Sequence, residues 1–416
     1  MRKLLISVLS ALMLCLCLAT MLACNGASVS VKTVNYISQG QVVNVEMVAN
    51  GGVQDYTPQA RDGYVFEGWF LDGEKFSMPF TKNALLSLAK EQLNVYAKWQ
   101  AIYVVKNGEI AGLTDYAKKN VKSLDIPFSI DEQEITGLQD FCFINATSLE
   151  SVTISKNVST IGKGIFSGCE NLVSVTVEDF NPKFHSYENC VIDSALTLVA
   201  GCKTSVIMTP IEKIGEMAFY NCKGLTEIEI PWSVVEIKES AFEKCENLSK
   251  VSFPDGLGID DVVMQSSLSK VGVKAFKDCS KLSQIILPNT LTVIKGSAFN
   301  NCVSIKNISI PKNVLVLDVG VFDGCSLLEK VEFVEDSLLE KIETRAFANC
   351  VKLASVKLPA QMKKIGNEAF NGCIVLSNVE FNGSLSNWQS VALGSLWLEG
   401  TLVSEITCID GLAKIN

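Results

Sequence analysis

A five-residue phrase, Ala-Phe-x-x-Cys, recurs along the chain and constrains its fold more than any other feature. Six full copies begin at Ala218, Ala241, Ala275, Ala298, Ala346 and Ala369. Looser copies begin at Ile165 and Val321, and a ninth phenylalanine, Phe143, has Ala146 in the cysteine position. Successive phenylalanines are 23, 53, 23, 34, 23, 23, 25 and 23 residues apart. A period of this size predicts a solenoid, in which each coil covers the apolar face of its neighbour.

Within one repeat, the different positions are expected to have different structural roles in the coil. Leu328-x-x-Val331-x-Phe333 alternates at its end, which predicts a strand with one buried face. The phrase phenylalanine should point inward and fill the wide part of the coil. Glycines that follow a buried Ile or Val should permit a sharp turn; they are Gly162, Gly215, Gly272 and Gly366.

This 23-residue pattern resembles the repeat of the BspA-like leucine-rich repeat family of surface proteins, and the segment from Leu268 to Pro288 matches it nearly in full. The resemblance implies a curved solenoid over residues 122–381, with parallel strands on one side. Residues 382–416 resemble the family's final coil. There, Trp388 and Trp397 suit the task of covering an apolar edge that no neighbour covers.

Residues 30–100 lack the repeat and predict strands and hairpins, with a short helix from Asn83 to Glu91. They resemble the Listeria–Bacteroides repeat, the B repeat of internalins, which implies a small β-grasp-like spacer or adhesive module. The matching residues are Gly63, Tyr64, Phe66, Gly68, Trp69, Val95, Tyr96, Ala97, Lys98 and Trp99. We expect Trp69 and Trp99 to be core residues rather than a ligand platform, because a domain this small needs its large aromatics inside. Residues 101–121 are expected to connect the two units.

The N-terminus has the layout of an export signal. Arg2 and Lys3 precede an apolar run that ends at Leu22-Ala23-Cys24. This resembles a bacterial lipoprotein signal, which implies cleavage after residue 23, a lipid on Cys24 and a tether over residues 24–29. The alternative is an ordinary signal or an uncleaved anchor. Either way, we expect the rest of the chain outside the cytoplasm, and the lipid would hold it at the membrane.

The cysteines are expected to pack rather than to bond. In an exported chain, repeated cysteines suggest disulfides. However, the same position in successive coils stacks into a column, where a small buried apolar residue is needed. Ala146 can pack in that position but cannot form a disulfide. No Cys-x-x-Cys occurs and His185 is the single histidine, so we expect no metal and no cofactor.

Charge and motif content argue against two classes of function. The formal net charge is −9 and no basic patch occurs, which disfavours nucleic acid as a partner. His185 is the single candidate base for a Ser or Cys nucleophile, and no phosphate-binding glycine motif is present. The chain is therefore not expected to be an enzyme. Asp260 and Asp261, in an 11-residue insertion, could contact a cation or a basic partner, although a solvated loop is the simpler interpretation.

Binding is the function class that the repeat favours. One outward strand position per coil should form a continuous sheet face; these candidates are Thr153, Thr176, Glu229, Ser252, Ile286, Ser309, Glu332, Lys357 and Glu380. The resemblance implies non-covalent adhesion of a monomer to host, matrix or bacterial surface proteins. Capture of a glycan or nutrient, and a scaffold role in the cell envelope, remain open. A glycan site should show exposed aromatics beside Asp or Asn, whereas a protein site should show a broad polar sheet.

Overall fold

The computed structural model describes residues 31–49, 53–81, 91–254, 256–257 and 263–415. The chain divides into two compact units between Tyr103 and Val104. Across the described ranges, no helix has both the length and the apolar character that a membrane span requires. The export signal, Cys24, residues 83–90 of the expected helix and the Asp260-Asp261 pair lie outside the described residues.

The first unit contains a four-stranded mixed sheet. Its strands are β1 (Val31–Ser38), β2 (Gln41–Ala49), β3 (Tyr64–Phe70) and β4 (Gln92–Ala101), in the order β2-β1-β4-β3. β1 pairs antiparallel with β2 and parallel with β4, and β3 pairs antiparallel with β4. The alternation in the sequence predicts three of these strands, and β1 is the one that it misses.

Aromatic side chains fill the core of this first unit. Trp69 is buried, and its Nε1 donates to the Tyr56 carbonyl oxygen at 2.7 Å. Its ring lies 4.9 Å from that of Tyr36, edge to face. Trp99 is half-buried, with its Nε1 donating to Ser38 Oγ at 3.1 Å. Trp69 is therefore a core residue as predicted, and Trp99 packs against the edge of the same core.

The second unit is a solenoid with strands on two sides of each coil. One side of the coils, which we call the strand face, carries three ladders. The first contains β7 (Ser123–Asp125), β11 (Ser151–Ile154) and β13 (Ser174–Val177), and the second contains β18 (Glu227–Glu229), β20 (Lys250–Ser252) and β24 (Gln284–Ile285). The third contains β26 (Asn307–Ile310), β28 (Lys330–Phe333), β30 (Ser355–Leu358), β32 (Asn378–Phe381), β34 (Glu405–Cys408) and β35 (Gly411–Lys414). Neighbouring strands in these ladders pair in parallel except β34 and β35, which close the last ladder as an antiparallel hairpin. The predicted parallel array is therefore present, but it is interrupted twice.

The other side of the coils carries a second set of short strands that the sequence did not predict. A first sheet comprises β5 (Tyr103–Lys106), β6 (Glu109–Leu113), β10 (Gly137–Leu138) and β12 (Thr160–Ile161). An eleven-stranded sheet follows, with β14 (Phe184–Tyr187), β15 (Cys190–Asp193), β16 (Thr197–Ala200), β17 (Lys213–Ile214), β19 (Glu236–Ile237), β23 (Lys270–Val271), β25 (Val293–Ile294), β27 (Val316–Leu317), β29 (Lys341–Ile342), β31 (Lys364–Ile365) and β33 (Ala392–Leu393). Most of these strands have only two residues, too few for an alternating pattern to be visible.

Four small strands and two helices complete the described elements. The strands are β8 (Ser129–Ile130), β9 (Gln133–Glu134), β21 (Gly256–Leu257) and β22 (Val263–Met264), and the helices are α1 (Asp115–Asn120) and α2 (Leu385–Trp388). The segment expected to be a connector, 101–121, holds β5, β6 and α1. Because β6 pairs with β10 of the next coil, this segment already contributes to the solenoid.

The phrase phenylalanines form a continuous column through the solenoid core. Seven rings lie parallel, with successive centroids 5.1–5.5 Å apart and interplanar angles of 2–10°; they belong to Phe219, Phe242, Phe276, Phe299, Phe322, Phe347 and Phe370. Trp397 covers the end of the column, with its ring 6.2 Å from that of Phe370. Trp388 and Trp397 are both buried, as expected for a final coil.

The phrase cysteines form a hydrogen-bonded ladder beside this column. All cysteines of the described residues are free thiols, in agreement with packing rather than disulfide bonding. In seven coils, the thiol donates to the carbonyl oxygen of the phenylalanine in the preceding coil at 3.0–3.3 Å; the donors are Cys169, Cys245, Cys279, Cys302, Cys325, Cys350 and Cys373. The cysteine is thus both a small apolar filler and a donor between coils.

The glycines that follow the buried Ile or Val act through their small size rather than through backbone freedom. A Cβ on Gly215 would lie 2.6 Å from the Leu198 carbonyl oxygen, and one on Gly366 would lie 2.4 Å from the Thr344 nitrogen. Neither residue has a positive φ. The prediction that these glycines permit a sharp turn is therefore corrected: they permit close approach of the preceding coil.

Candidate functional site

The outward positions of the strand face lie where the sequence places them, but they do not form one sheet. Thr176, Glu229, Ser309, Glu332 and Lys357 are exposed, and Ile286 is 84% exposed. Thr153, Ser252 and Glu380 are half-buried. Four pairs are direct neighbours across strands: Thr153 with Thr176, Glu229 with Ser252, Ser309 with Glu332, and Lys357 with Glu380.

The continuity predicted for this face is wrong at two places. After β13, the 53-residue step inserts the β14–β15 hairpin, which joins the sheet on the other side of the coils. The Val177 N–H then donates to Ser186 Oγ rather than to a strand of the same ladder. The second break lies between β24 and β26, which belong to different sheets. The face is therefore three separate patches.

A cleft of about 870 Å³, which we call cleft 1, opens within the second patch. Pairing between β20 and β24 stops at Val251 and Ile285, so that Ser252 and Ile286 are not ladder partners. Glu229, Ser252 and Ile286 line the cleft, together with Phe253 and Leu287. Three candidate positions are thus brought together around an apolar floor.

A cleft of about 610 Å³, cleft 2, opens within the third patch. Here, pairing between β28 and β30 stops at Val331 and Val356. Ser309, Glu332 and Lys357 line this cleft, and Glu332 forms an ion pair with Lys330. Cleft 2 is the more strongly charged of the two.

Both clefts occur where a repeat is longer than 23 residues. The 34-residue step separates Phe242 from Phe276, the coils that carry β20 and β24. The 25-residue step separates Phe322 from Phe347, the coils that carry β28 and β30. On the phenylalanine side, the rings remain 5.2 and 5.5 Å apart. The extra residues therefore separate the strands only after their first two paired residues, and the strand ends diverge.

The face extends one position further at each end than the sequence interpretation placed it. Asp125 pairs with Thr153 in the first patch, and Thr407 pairs with Glu380 in the third. Both side chains are exposed. The alternation Leu124-x-Ile126 and Ile406-x-Cys408 is the sequence signal that could have identified them.

The described residues offer no cluster suited to metal binding, and the candidate base of the sequence analysis lies at the surface. No group of three or more His, Cys, Asp or Glu side chains in the described ranges is arranged to hold a metal ion. His185 is exposed on β14, opposite Ile192. Burial raises the pKa of the Cys190 thiol and of the Cys222 thiol to about 12, so neither is a ready nucleophile near neutral pH.

Comparison with known proteins identifies the repeat. The model of the BspA type leucine rich repeat region matches residues 113–196, 192–258, 256–375 and 340–410, in six copies. This family model describes a repeat region rather than a catalytic domain. No curated protein matches the chain.

Several solved structures are similar to this chain. A leucine-rich repeat protein from Eubacterium ventriosum is 22% identical, with 69% of this chain and 66% of that chain covered and a TM-score of 0.48. A leucine-rich repeat protein from Bacteroides ovatus is 20% identical, with 72% and 89% covered and a TM-score of 0.35. The pneumococcal vaccine antigen PcpA is 16% identical, with 70% and 71% covered and a TM-score of 0.41. The chain thus spans just under two thirds of the Eubacterium protein.

The family match and the geometry agree on the nature of the second unit. The matched regions run from residue 113 to residue 410, which is well over half of the chain. The same residues form the coils, the phenylalanine column and the thiol ladder described above. The chain belongs to the BspA-type leucine-rich repeat family.

Proposed function

We propose that this protein binds other proteins non-covalently at the cell surface, through the strand face and above all through clefts 1 and 2, and that it has no enzymatic activity. The observation that carries the proposal is the position of the clefts, which open among the outward residues of the solenoid. The other outward strand positions of the face carry polar or charged side chains that water can solvate. In cleft 1, by contrast, an 84%-exposed Ile286 lies beside polar groups that can fix a ligand's orientation.

The proposed biological role is adhesion to host, matrix or other bacterial cells, as a monomer anchored in the membrane. A lipid on Cys24 would supply the anchor. The first unit would act as a spacer of the Listeria–Bacteroides type with a β-grasp-like fold, a proposal supported by its signature residues and its four-stranded mixed sheet.

Replacing Cys24 with alanine should release the protein from membranes. Without the thiol, no lipid can be attached, and each lost methylene removes roughly 0.8 kcal/mol of membrane binding. The measurement is the fraction of full chain that sediments with membranes, with Cys222→Ala as the matched control. Equal sedimentation of the wild-type chain and Cys24→Ala would rule out the lipid assignment.

Replacing Ile286 with aspartate should weaken binding at least about tenfold, which corresponds to about 1.4 kcal/mol. The charge would be desolvated by any partner that covers the apolar floor of cleft 1. The full chain is immobilised and tested against a panel of purified extracellular-matrix proteins and a glycan array. Ile374→Asp is the control, since Ile374 is 57% exposed in the turn before β32. Equal loss in both variants, or loss in neither, would argue against cleft 1.

Capture of a glycan is the second candidate function. The feature that favours it lies away from the clefts, where the exposed Phe180 stands between Asp179 and Asn181 in the chain, next to the first patch of the solenoid. Binding confined to the glycan array would support this candidate over protein adhesion. A scaffold role in the cell envelope would leave both panels without a ligand.

A further inference from the structure

Two phenylalanines in the first patch of the solenoid are exposed rather than buried. Phe180 is 95% exposed and Phe128 is 57% exposed. Both lie in segments that follow strand-face strands, namely 127–134, which includes the β8–β9 hairpin, and 178–183, and the turn at 155–158 lies between them. We call these three segments the ledge. An apolar ring with nearly all of its surface in water adds almost nothing to folding.

Asparagine side chains hold the three segments of the ledge together. The Asn181 amide nitrogen donates to the carbonyl oxygens of Ser155 and Val158, at 3.2 and 2.9 Å. Its oxygen accepts from the N–H groups of Lys183 and Phe184, both at 2.9 Å.

Asn157 makes the equivalent donor contacts one coil earlier. Its amide nitrogen donates to the carbonyl oxygens of Phe128 and Ile135. On the other flank of Phe180, Glu178 accepts from the Lys156 N–H at 2.9 Å. The segments that carry the exposed rings are therefore fixed in place before any partner arrives.

The backbone of Phe180 adds a second, independent observation. Its φ is 68°, in the left-handed region, which a phenylalanine adopts only at a cost in strain. Glycine or asparagine would relieve that strain at no loss of buried surface. A strained residue with a fully exposed aromatic ring, on a rigid turn, has the properties of a binding anchor rather than of a structural residue.

The charge of the ledge indicates what kind of surface fits it. Its segments carry five carboxylates, on Asp131, Glu132, Glu134, Glu178 and Asp179, against two ammonium groups, on Lys156 and Lys183. We infer that the ledge docks onto a partner protein that offers an apolar pocket with a basic rim, and that Phe180 enters the pocket. This rests on the proposed protein-binding function but concerns a surface separate from clefts 1 and 2.

A glycan fits this surface less well than a protein does. Sugar sites are concave and supply free polar groups beside an aromatic ring. Phe180 instead protrudes, and the amides of Asn157 and Asn181 are already bonded to backbone carbonyls. A protruding ring requires the concave surface to be on the partner.

The test is site-specific photo-crosslinking with the full chain. A benzophenone amino acid replaces Phe180 and, in parallel chains, Ile286 or the control Ile374, and each chain is irradiated in a solubilised basement-membrane extract. We expect a discrete, protease-sensitive adduct from position 180 and none from position 374. Asp179→Lys should lower its yield at least about tenfold, and raising NaCl from about 0.05 to 0.5 M should also lower it, because salt screens exposed charges.

Each other outcome has a defined meaning. No adduct at position 180, an equal adduct at position 374, or an adduct removed by glycosidases would overturn the inference. A yield that neither Asp179→Lys nor salt lowers would overturn it too. An adduct at position 286 alone would support the cleft proposal while refuting the ledge, and an adduct at position 180 alone would do the reverse. Phe180→Gly should not lower Tm, which separates loss of binding from loss of fold.

Discussion

Replacing Phe299 with alanine should lower the free energy of unfolding by about 3–5 kcal/mol. The Phe299 ring is fully buried and lies 5.4 Å from the ring of Phe276 on one side and 5.4 Å from that of Phe322 on the other. Truncation therefore leaves a cavity between two coil interfaces, and the stability of a solenoid depends on each of those interfaces. Urea denaturation followed by circular dichroism measures the change.

Phe128→Ala is the matched control for this truncation, because it removes the same atoms from an exposed position. We expect a change within about 0.5 kcal/mol. A loss below about 1 kcal/mol for Phe299→Ala, or equal losses in both variants, would contradict the column as the main source of stability in the core.

The sequence predicted the solenoid core well because the core is built by repetition. Each phenylalanine and each cysteine sees the same surroundings as its counterpart one coil away, so that a fixed spacing is enough to place them. The coil between Phe166 and Phe219, which is part of the 53-residue step, follows the same packing rule. A Cβ on Gly201 would lie 2.3 Å from the Phe219 ring, so the glycine leaves room for a ring where the coil has no phenylalanine of its own.

The clefts could not be predicted in the same way, because they arise where repetition fails. The sequence showed the steps of 34 and 25 residues, but not which strands would separate. Which strands separate depends on two conditions: the phenylalanine rings stay closely stacked, and the extra residues are accommodated on the strand face. The number of paired residues between β20 and β24 therefore depends on the packing of the phenylalanine side and of the strand face together.

The left-handed backbone conformations of the solenoid could not be predicted from the residue types either. Two residues before the phrase phenylalanine, φ is positive in coil after coil, as at Met217 (56°), Lys274 (56°) and Arg345 (57°). None of these is glycine or asparagine, the residues that usually report a left-handed position. The exposure of Phe180 was also not predicted from its residue type, because the other phenylalanines of the solenoid pattern are core residues.

Raising the pH from about 8.5 to about 10.5 should destabilise the solenoid steeply, because its buried thiols resist ionisation. Burial raises the pKa of Cys169 to about 12 and that of Cys222 to about 12, compared with about 8.5 for an exposed thiol. Burial also raises the pKa values of Cys279, Cys302 and Cys325. In this window the unfolded chain releases thiol protons that the folded chain keeps. The stability is therefore complete below the unfolded pKa and is lost as the pH rises towards the folded one.

The size of this effect distinguishes the ladder from other titrating groups. Between its unfolded and folded pKa values, each such thiol should lower the free energy of unfolding by about 1.4 kcal/mol per pH unit. The variant with alanine at Cys279, Cys302 and Cys325 should therefore be less stable at pH 7 but lose about 4 kcal/mol less per pH unit. The measurement is the free energy of unfolding in urea, under reducing conditions, at each pH. Because lysine and tyrosine titration is common to both chains, parallel pH profiles would mean that these thiols are not held protonated by the fold.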